Sequence, residues 1–179
     1  MNTVTVHDKE FVTFLDSDRI AARVIELAAR MNADYKDKNP LLIGVLNGSF
    51  MFISDLMKAL DIPCEISFIR LSSYEGMESS GSVRQVLGLQ ENVFGRHVVL
   101  VEDIVDSGLT MANTVTFFEE RGPKSIEIAT LLTKPECLEK DLDMKYVGFE
   151  IPPKFVVGYG LDYDGLGRNF KDIYQLKED

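Results

Sequence analysis

The first clear periodicity along the chain lies between residues 17 and 31. There Ile20, Val24, Leu27 and Met31 recur at helical spacing, while Arg19, Arg23, Glu26 and Arg30 take the opposite face. This is the signature of an amphipathic helix laid on a core, with Asp16 or Ser17 as its cap and a short, extended stretch before it. Lys36-Asp37-Lys38-Asn39-Pro40 stops the helix, and Leu41-Leu42-Ile43-Gly44-Val45-Leu46 then runs apolar without alternation, as a strand covered on both faces does. After the turn signal Asn47-Gly48-Ser49, the spacing of Phe50, Ile53, Met57 and Leu60 predicts a second helix over 50–60, and residues 65–71 read as another strand. Residues 72–82 hold Gly76, Gly81 and several serines with hardly any apolar side chain, which predicts a mobile loop. A short strand over 83–89 is expected to form a ribbon with its neighbour.

The pattern sharpens again at His97-Val98-Val99-Leu100-Val101, a buried strand, which is followed by a polar turn over 102–108 and a helix over 110–120 carrying Met111, Val115 and Phe118 on one stripe. Gly122-Pro123 closes that helix, and Ile128-Ala129-Thr130-Leu131-Leu132 is again a central-strand run. Alternation of strand and helix argues an α/β fold with a largely parallel central sheet flanked by helices, whose ligand crevice lies beyond the carboxyl ends of the strands. The shorter elements after Lys134 predict a small hood over that edge, so residues 1–179 read as a single domain, with the hood drawn from the N-terminal segment and about 134–179.

Composition narrows the function. The 179 residues carry 19 Lys and Arg against 29 Asp and Glu, a formal net charge of −10. Non-specific attraction to nucleic acid or to an anionic membrane surface is therefore not expected, and a polyanionic ligand would have to be held by amide nests, a few placed cations or a divalent metal. The two cysteines, Cys64 and Cys137, lie far apart without a CxxC pattern, and they read as small hydrophobes in a reducing compartment. No signal-like start or long apolar run appears, and the expected location is the cytoplasm.

Candidate chemistry concentrates in Val98-Val99-Leu100-Val101-Glu102-Asp103-Ile104-Val105-Asp106-Ser107-Gly108-Leu109-Thr110. Three carboxylates in five residues at a strand end would repel one another unless cations or sugar hydroxyls share the site. The turn 106–110 opens a helix, and Gly108 permits a backbone conformation that lets consecutive amides, with the Ser107 and Thr110 hydroxyls, converge on one anion. Neither GxxxxGK[ST] nor GxGxxG is present, so a monophosphate suits the cup better than a triphosphate or a dinucleotide. The turn alone would more often describe a capped helix with solvated acids; its place directly after four apolar strand residues, with two adjacent acids, favours the anion site instead.

This stretch resembles the 5-phosphoribosyl-1-pyrophosphate binding motif of type I phosphoribosyltransferases, and the order of motifs from Leu42 to Leu176 is similar to the hypoxanthine-guanine branch of that family. The resemblance implies a Rossmann-like α/β fold and a role for each matching position. Glu102 and Asp103 would face the ribose hydroxyls, directly or through magnesium and water, and Asp106 would exchange a proton near purine N7. Ser107, Gly108, Leu109 and Thr110 would hold the 5′-phosphate. Leu46, Asn47 and Gly48 match the pyrophosphate loop, in which the family often has a non-proline cis peptide; Asn47 stands where many relatives have Lys or Arg. Ser73 and Tyr74 match the pair carried by a mobile lid. Lys134 would donate to the purine 6-oxo group, Phe155 would stack on the base, and the Val156 backbone would read its edge. Asp162 would meet a magnesium ion, and Arg168 would reach the pyrophosphate.

By the same resemblance the substrates are 5-phosphoribosyl-1-pyrophosphate with hypoxanthine or guanine, the products IMP or GMP with pyrophosphate, the cofactor Mg2+, and the assembly a homodimer or homotetramer. A xanthine- or pyrimidine-preferring transferase and a nucleotide-sensing regulator are the alternatives. The regulator would be expected to have lost acids that are all present here, and an adenine-specific enzyme would want an acceptor where Lys134 donates.

Overall fold

The computed structural model describes residues 2–72, 84–87 and 91–177. Among these residues, ten strands and three α-helices follow in the order β1 (Thr3–Val6), β2 (Lys9–Leu15), α1 (Ser17–Asp34), β3 (Leu41–Leu46), α2 (Phe50–Ala59), β4 (Glu65–Ser72), β5 (Arg84–Leu87), β6 (His97–Val105), α3 (Leu109–Glu119), β7 (Ser125–Thr133), β8 (Tyr146–Glu150), β9 (Val156–Val157) and β10 (Ile173–Leu176). The main sheet has the order β5-β4-β3-β6-β7-β8. Its strands are parallel except β5, which pairs antiparallel with β4 as the expected ribbon.

The apolar runs of β3, β6 and β7 do not alternate because both faces of the sheet are covered. Leu42, Val99, Val101, Ala129 and Leu131 share one core with Ile20, Val24, Leu27 and Met31 of α1 and with Phe52, Ile53 and Leu56 of α2. Leu41, Ile43, Val45, Val98, Leu100 and Ile128 point the other way, into a core with Met111 and Phe118 of α3. Each such fully buried aliphatic or aromatic side chain stabilises the fold by roughly 1.5–3 kcal/mol. Of the two capping candidates for α1 it is Asp16 that serves, its carboxylate accepting from Arg19 N at 2.9 Å.

Two expectations need correction. The stripe that α2 buries is Phe52, Ile53 and Leu56, whereas Phe50 is 42% exposed. Every residue of Phe50-Met51-Phe52-Ile53 is apolar, so spacing alone did not select a face, and the sheet beneath the helix did. The second correction concerns the acidic stretch after Val101. Glu102 does not begin a turn; β6 continues to Val105, pairing Glu102, Ile104 and Val105 with Thr130, Leu132 and Thr133 of β7. Its pairing with β3 stops at Val101. The last four residues of β6 are thus held from one side only, and their other side opens toward the loop that leaves β3.

A second sheet of order β1-β2-β10-β9, antiparallel throughout, forms the hood and has its own small core of Val6, Phe11, Val157 and Tyr174. It is fastened at both ends of the chain. Ser17 N–H donates to Asp172 Oδ1 at 2.7 Å, and the buried Tyr159 hydroxyl donates to Asp55 Oδ2 of α2 at 2.6 Å. Tyr159→Phe removes that bond and keeps the ring. It should cost about 1 kcal/mol, lowering Tm by about 2–4 °C in thermal unfolding.

Candidate active site

Strand order reverses between β3 and β6. The chain moves outward from β3 to β4, then returns to the other side of β3 to lay down β6, β7 and β8. Such a reversal leaves a crevice beyond the carboxyl ends of the two strands, since their following loops run in opposite directions. Here the two loops are 47–49 after β3 and 106–108 after β6.

The second loop is the one that the resemblance assigns to the 5′-phosphate, the expected phosphate turn. Gly108 has φ 79°, a left-handed conformation that other residues adopt at a cost, and a side chain there would press on Leu142. Gly108 O accepts from Ala112 N at 2.9 Å, so α3 starts at once, and Leu109 N lies 3.4 Å from Ser107 Oγ. The turn and strand end line a cleft of about 120 Å³ bounded by Glu102, Ile104, Val105, Asp106, Ser107, Gly108, Thr110 and Met111. The amide-rich mouth of a helix at the floor of a small cleft is a ready anion site.

Sequence reasoning missed what braces this turn. Residues 135–142 wrap around it, with Glu139 N donating to Ser107 O at 2.9 Å and Leu138 and Leu142 packed beside Gly108. Cys137, in the single helical turn Pro135–Cys137, lies close enough to Asp106 that desolvation and then this carboxylate raise its thiol pKa. No periodicity marks the segment, because loop residues packed on a turn follow the turn's shape.

The loop after β3 carries the cis peptide Leu46–Asn47 expected from the resemblance. Ser49 Oγ donates to Val45 O at 2.7 Å and fastens its far end. Gly48 is buried flat against Asp103, whose carboxylate occupies the place a Cβ would need. Gly48 O in turn meets Gly160 of the hood. Arg168 Nη1 donates to Gly160 O at 2.7 Å, and its Nη2 pairs with Asp162 Oδ1 at 2.6 Å. The β3 loop, the end of β6 and the hood are therefore in contact at one point.

Glu102 and Asp103 lie beside that point. Desolvation pushes both carboxyl groups above their ordinary pKa; for Glu102 the Asp103 charge adds to the rise, whereas for Asp103 the bonds to Glu102 and Ile104 N–H and the Arg168 charge limit it. Two adjacent, desolvated carboxylates are what a divalent cation or sugar hydroxyls would relieve. Asp162 is not a member of this pair, since its carboxylate is taken up by Arg168 and by Gly165 N–H at 2.7 Å. Among the described residues, no group of three or more His, Cys, Asp or Glu is arranged to hold a metal ion.

On the other side of the phosphate turn, Lys134 follows β7 and is buried except for about 8% of its surface, with Nζ 2.6 Å from Asp106 Oδ2. Asp106 itself is about half exposed at the cleft mouth. Phe155 is 44% exposed, while Val156 lies in β9. Leu176 N donates to Phe155 O at 2.8 Å, so the alternation of antiparallel pairing turns the Val156 N–H and C=O away from β10. Ser73 and Tyr74, with residues 73–82 of the expected lid, lie outside the described residues; Ser72 ends β4. No helix among the described residues is long and apolar enough to cross a membrane.

A parallel sheet whose order reverses at a crevice, where a glycine turn, an acidic pair and a hood meet, has the layout of the nucleotide-binding α/β class, and comparison with known proteins specifies it. A family model of the phosphoribosyl transferase domain matches residues 13–164, and the chain belongs to that family. It is 44% identical to the hypoxanthine-guanine phosphoribosyltransferase of Bacillus subtilis (strain 168) over 172 residues, 96% of this chain and 95% of that protein. Among solved structures, a hypoxanthine-guanine phosphoribosyltransferase of Bacillus anthracis with a HEPES molecule in its active site matches with TM-score 0.87 and 37% identity over 93% of this chain and 96% of that one. The hypoxanthine phosphoribosyltransferase of Trypanosoma cruzi in complex with the product IMP matches with TM-score 0.89 and 38% identity over 97% of both chains.

Proposed function

We infer that the protein transfers the 5-phosphoribosyl group of 5-phosphoribosyl-1-pyrophosphate to N9 of hypoxanthine or guanine, yielding IMP or GMP and pyrophosphate, a purine-salvage reaction. The observation that carries the choice of base is the Lys134–Asp106 pair beside the phosphate turn. A 6-oxopurine presents O6 and N7 next to one another on one edge. A lysine ammonium and a carboxylate 2.6 Å apart fit that edge, the first donating to O6 and the second taking the N7 proton. Phe155 offers a ring face to the base, and Val156 its backbone groups.

In the reaction N9 bonds to C1′ as the bond from C1′ to the pyrophosphate oxygen breaks, and the N7 proton passes to Asp106. Positive charge develops at C1′, so the amide cup and hydroxyls at 107–110 serve by fixing the 5′-phosphate while Glu102 and Asp103 orient the ribose. The amides of the 46–48 loop and Arg168 would receive the departing pyrophosphate. Asn47 brings no charge to that loop, and Arg168 would supply some of the positive charge that Asn47 does not.

The donor set of Glu102 and Asp103 fits Mg2+, a hard ion that is commonly held by one or two carboxylates together with substrate oxygens and water. When bound, magnesium would neutralise charge on the departing pyrophosphate. A steady-state assay with hypoxanthine, guanine, xanthine and adenine tests this reading. IMP and GMP should form, adenine should be a poor substrate, and EDTA should abolish turnover until magnesium is restored. Undiminished activity in excess EDTA would remove the metal from the scheme, and turnover of adenine alone would remove the assignment of Lys134. The assembly we propose is a homodimer or homotetramer, which sedimentation would resolve.

A further inference from the structure

The ring proposed to stack on the purine does not stand alone. Phe155 meets Tyr163 edge-on, with centroids 5.7 Å apart, and is tilted against Phe11 at 6.1 Å. Phe11 and Tyr163 also face each other at 6.3 Å, so the three rings form one closed contact. Tyr163 is fastened from the far end of the chain. Its hydroxyl donates to Asp8 Oδ1 at 2.9 Å, and the His7 ring lies across it at 5.4 Å. His7 Nε2 is in turn 3.3 Å from Asp164 O. His7 and Asp8 are the turn between β1 and β2, and His7 holds a left-handed φ of 52° there.

Nothing in the packing of the main sheet requires these contacts. The hairpin is already paired along β2 with β10, and its tip reaches beyond that pairing to touch the stretch that follows Phe155. An exposed aromatic ring with one free face has several rotamers available, and a ring held at its edge by a second, hydrogen-bonded ring has fewer. We propose that the β1–β2 turn is a positioning element of the base site: Asp8, through Tyr163, sets the orientation of Phe155, so that the first dozen residues of the chain tune affinity for the purine and leave that for the phosphoribosyl donor alone. This rests on Phe155 being the stacking ring.

The test uses the full-length protein and five variants: Phe155→Ala, Tyr163→Phe, Asp8→Ala, Asp8→Asn and the double variant that combines Tyr163→Phe with Asp8→Ala. Tyr163→Phe and Asp8→Ala each remove the Tyr163–Asp8 hydrogen bond at an exposed site, and Asp8→Ala also removes the carboxylate's interactions with its own backbone N–H and with Lys9 and His7. Each should raise KM for hypoxanthine and guanine by about 2- to 10-fold, with KM for the donor and kcat changed less than twofold. Because both break that bond, the double variant should be no worse than Asp8→Ala alone. Asp8→Asn keeps an acceptor oxygen and should recover most of the loss. Unchanged purine KM in Tyr163→Phe and Asp8→Ala, or equal changes in both KM values, would overturn the inference provided that Phe155→Ala still weakens the base. If Phe155→Ala leaves the purine KM unaltered, the stacking assignment itself fails, and the role of the turn falls with it.

Discussion

Asp106→Asn should turn over about 10²- to 10⁴-fold more slowly than wild type, the span expected when a positioned acid–base group is lost. Asparagine keeps the shape and an acceptor for Lys134 Nζ, which lies 2.6 Å from Oδ2 in the parent protein. The phosphate cup should survive, since it is built from the Gly108 turn, the start of α3 and the brace from Glu139 N to Ser107 O, and none of these uses the Asp106 side chain. Donor affinity should accordingly change little. Single-turnover kinetics and titration of the variant with donor separate the two. A loss explained wholly by weaker donor binding would make Asp106 a structural member of the turn.

How this site was legible follows from how its parts are encoded. The phosphate turn is local: strand, acids, Ser-Gly and helix follow one another within thirteen residues, so the chain writes it in one line. The two-sided burial of β3, β6 and β7 was likewise plain from unbroken apolar runs, because no polar face was needed. The extent of β6 was not. Glu102 and Asp103 look like strand terminators, and only pairing with β7, supplied by residues 130–133 far along the chain, keeps the backbone extended through them. The face of α2 was hidden for a similar reason, its apolar residues being too many for their spacing to choose among.

Long-range partners were the least legible. Gly48 read as a turn glycine, but its burial against the Asp103 carboxylate, and the contact of Gly160 with its carbonyl, are facts of three segments meeting. The contacts Asp8–Tyr163 and Asp55–Tyr159 join residues more than a hundred positions apart, and no pattern in one sequence announces such pairs. The resemblance to phosphoribosyltransferases named first the residues that would touch substrate. The structure adds the second tier, the residues that hold those in place.

The Lys134 assignment is the most exposed to refutation, because the same side chain is engaged by Asp106 before any base arrives. A nearly buried ammonium leaves its partner only for an acceptor of comparable quality, and the O6 of a 6-oxopurine, next to the N7 edge that Asp106 would meet, lets both groups exchange one charge-assisted contact for another. Lys134→Met keeps the buried stem and deletes the charge. The lost bond is worth about 1.5–3 kcal/mol, so kcat/KM for hypoxanthine and guanine should fall by about 10- to 150-fold. A purine lacking the 6-oxo group should be used equally poorly by variant and wild type, since for that base there is no contact to lose. Thermal unfolding of the variant should stay near wild type, because Asp106 is half exposed and regains water when its partner goes. An unchanged kcat/KM for both 6-oxopurines would show that Lys134 serves only to neutralise Asp106. An equal fall for the base without the oxo group would place the effect on Asp106 and proton transfer, because the substitution would then have disturbed the partner and not the recognition of O6.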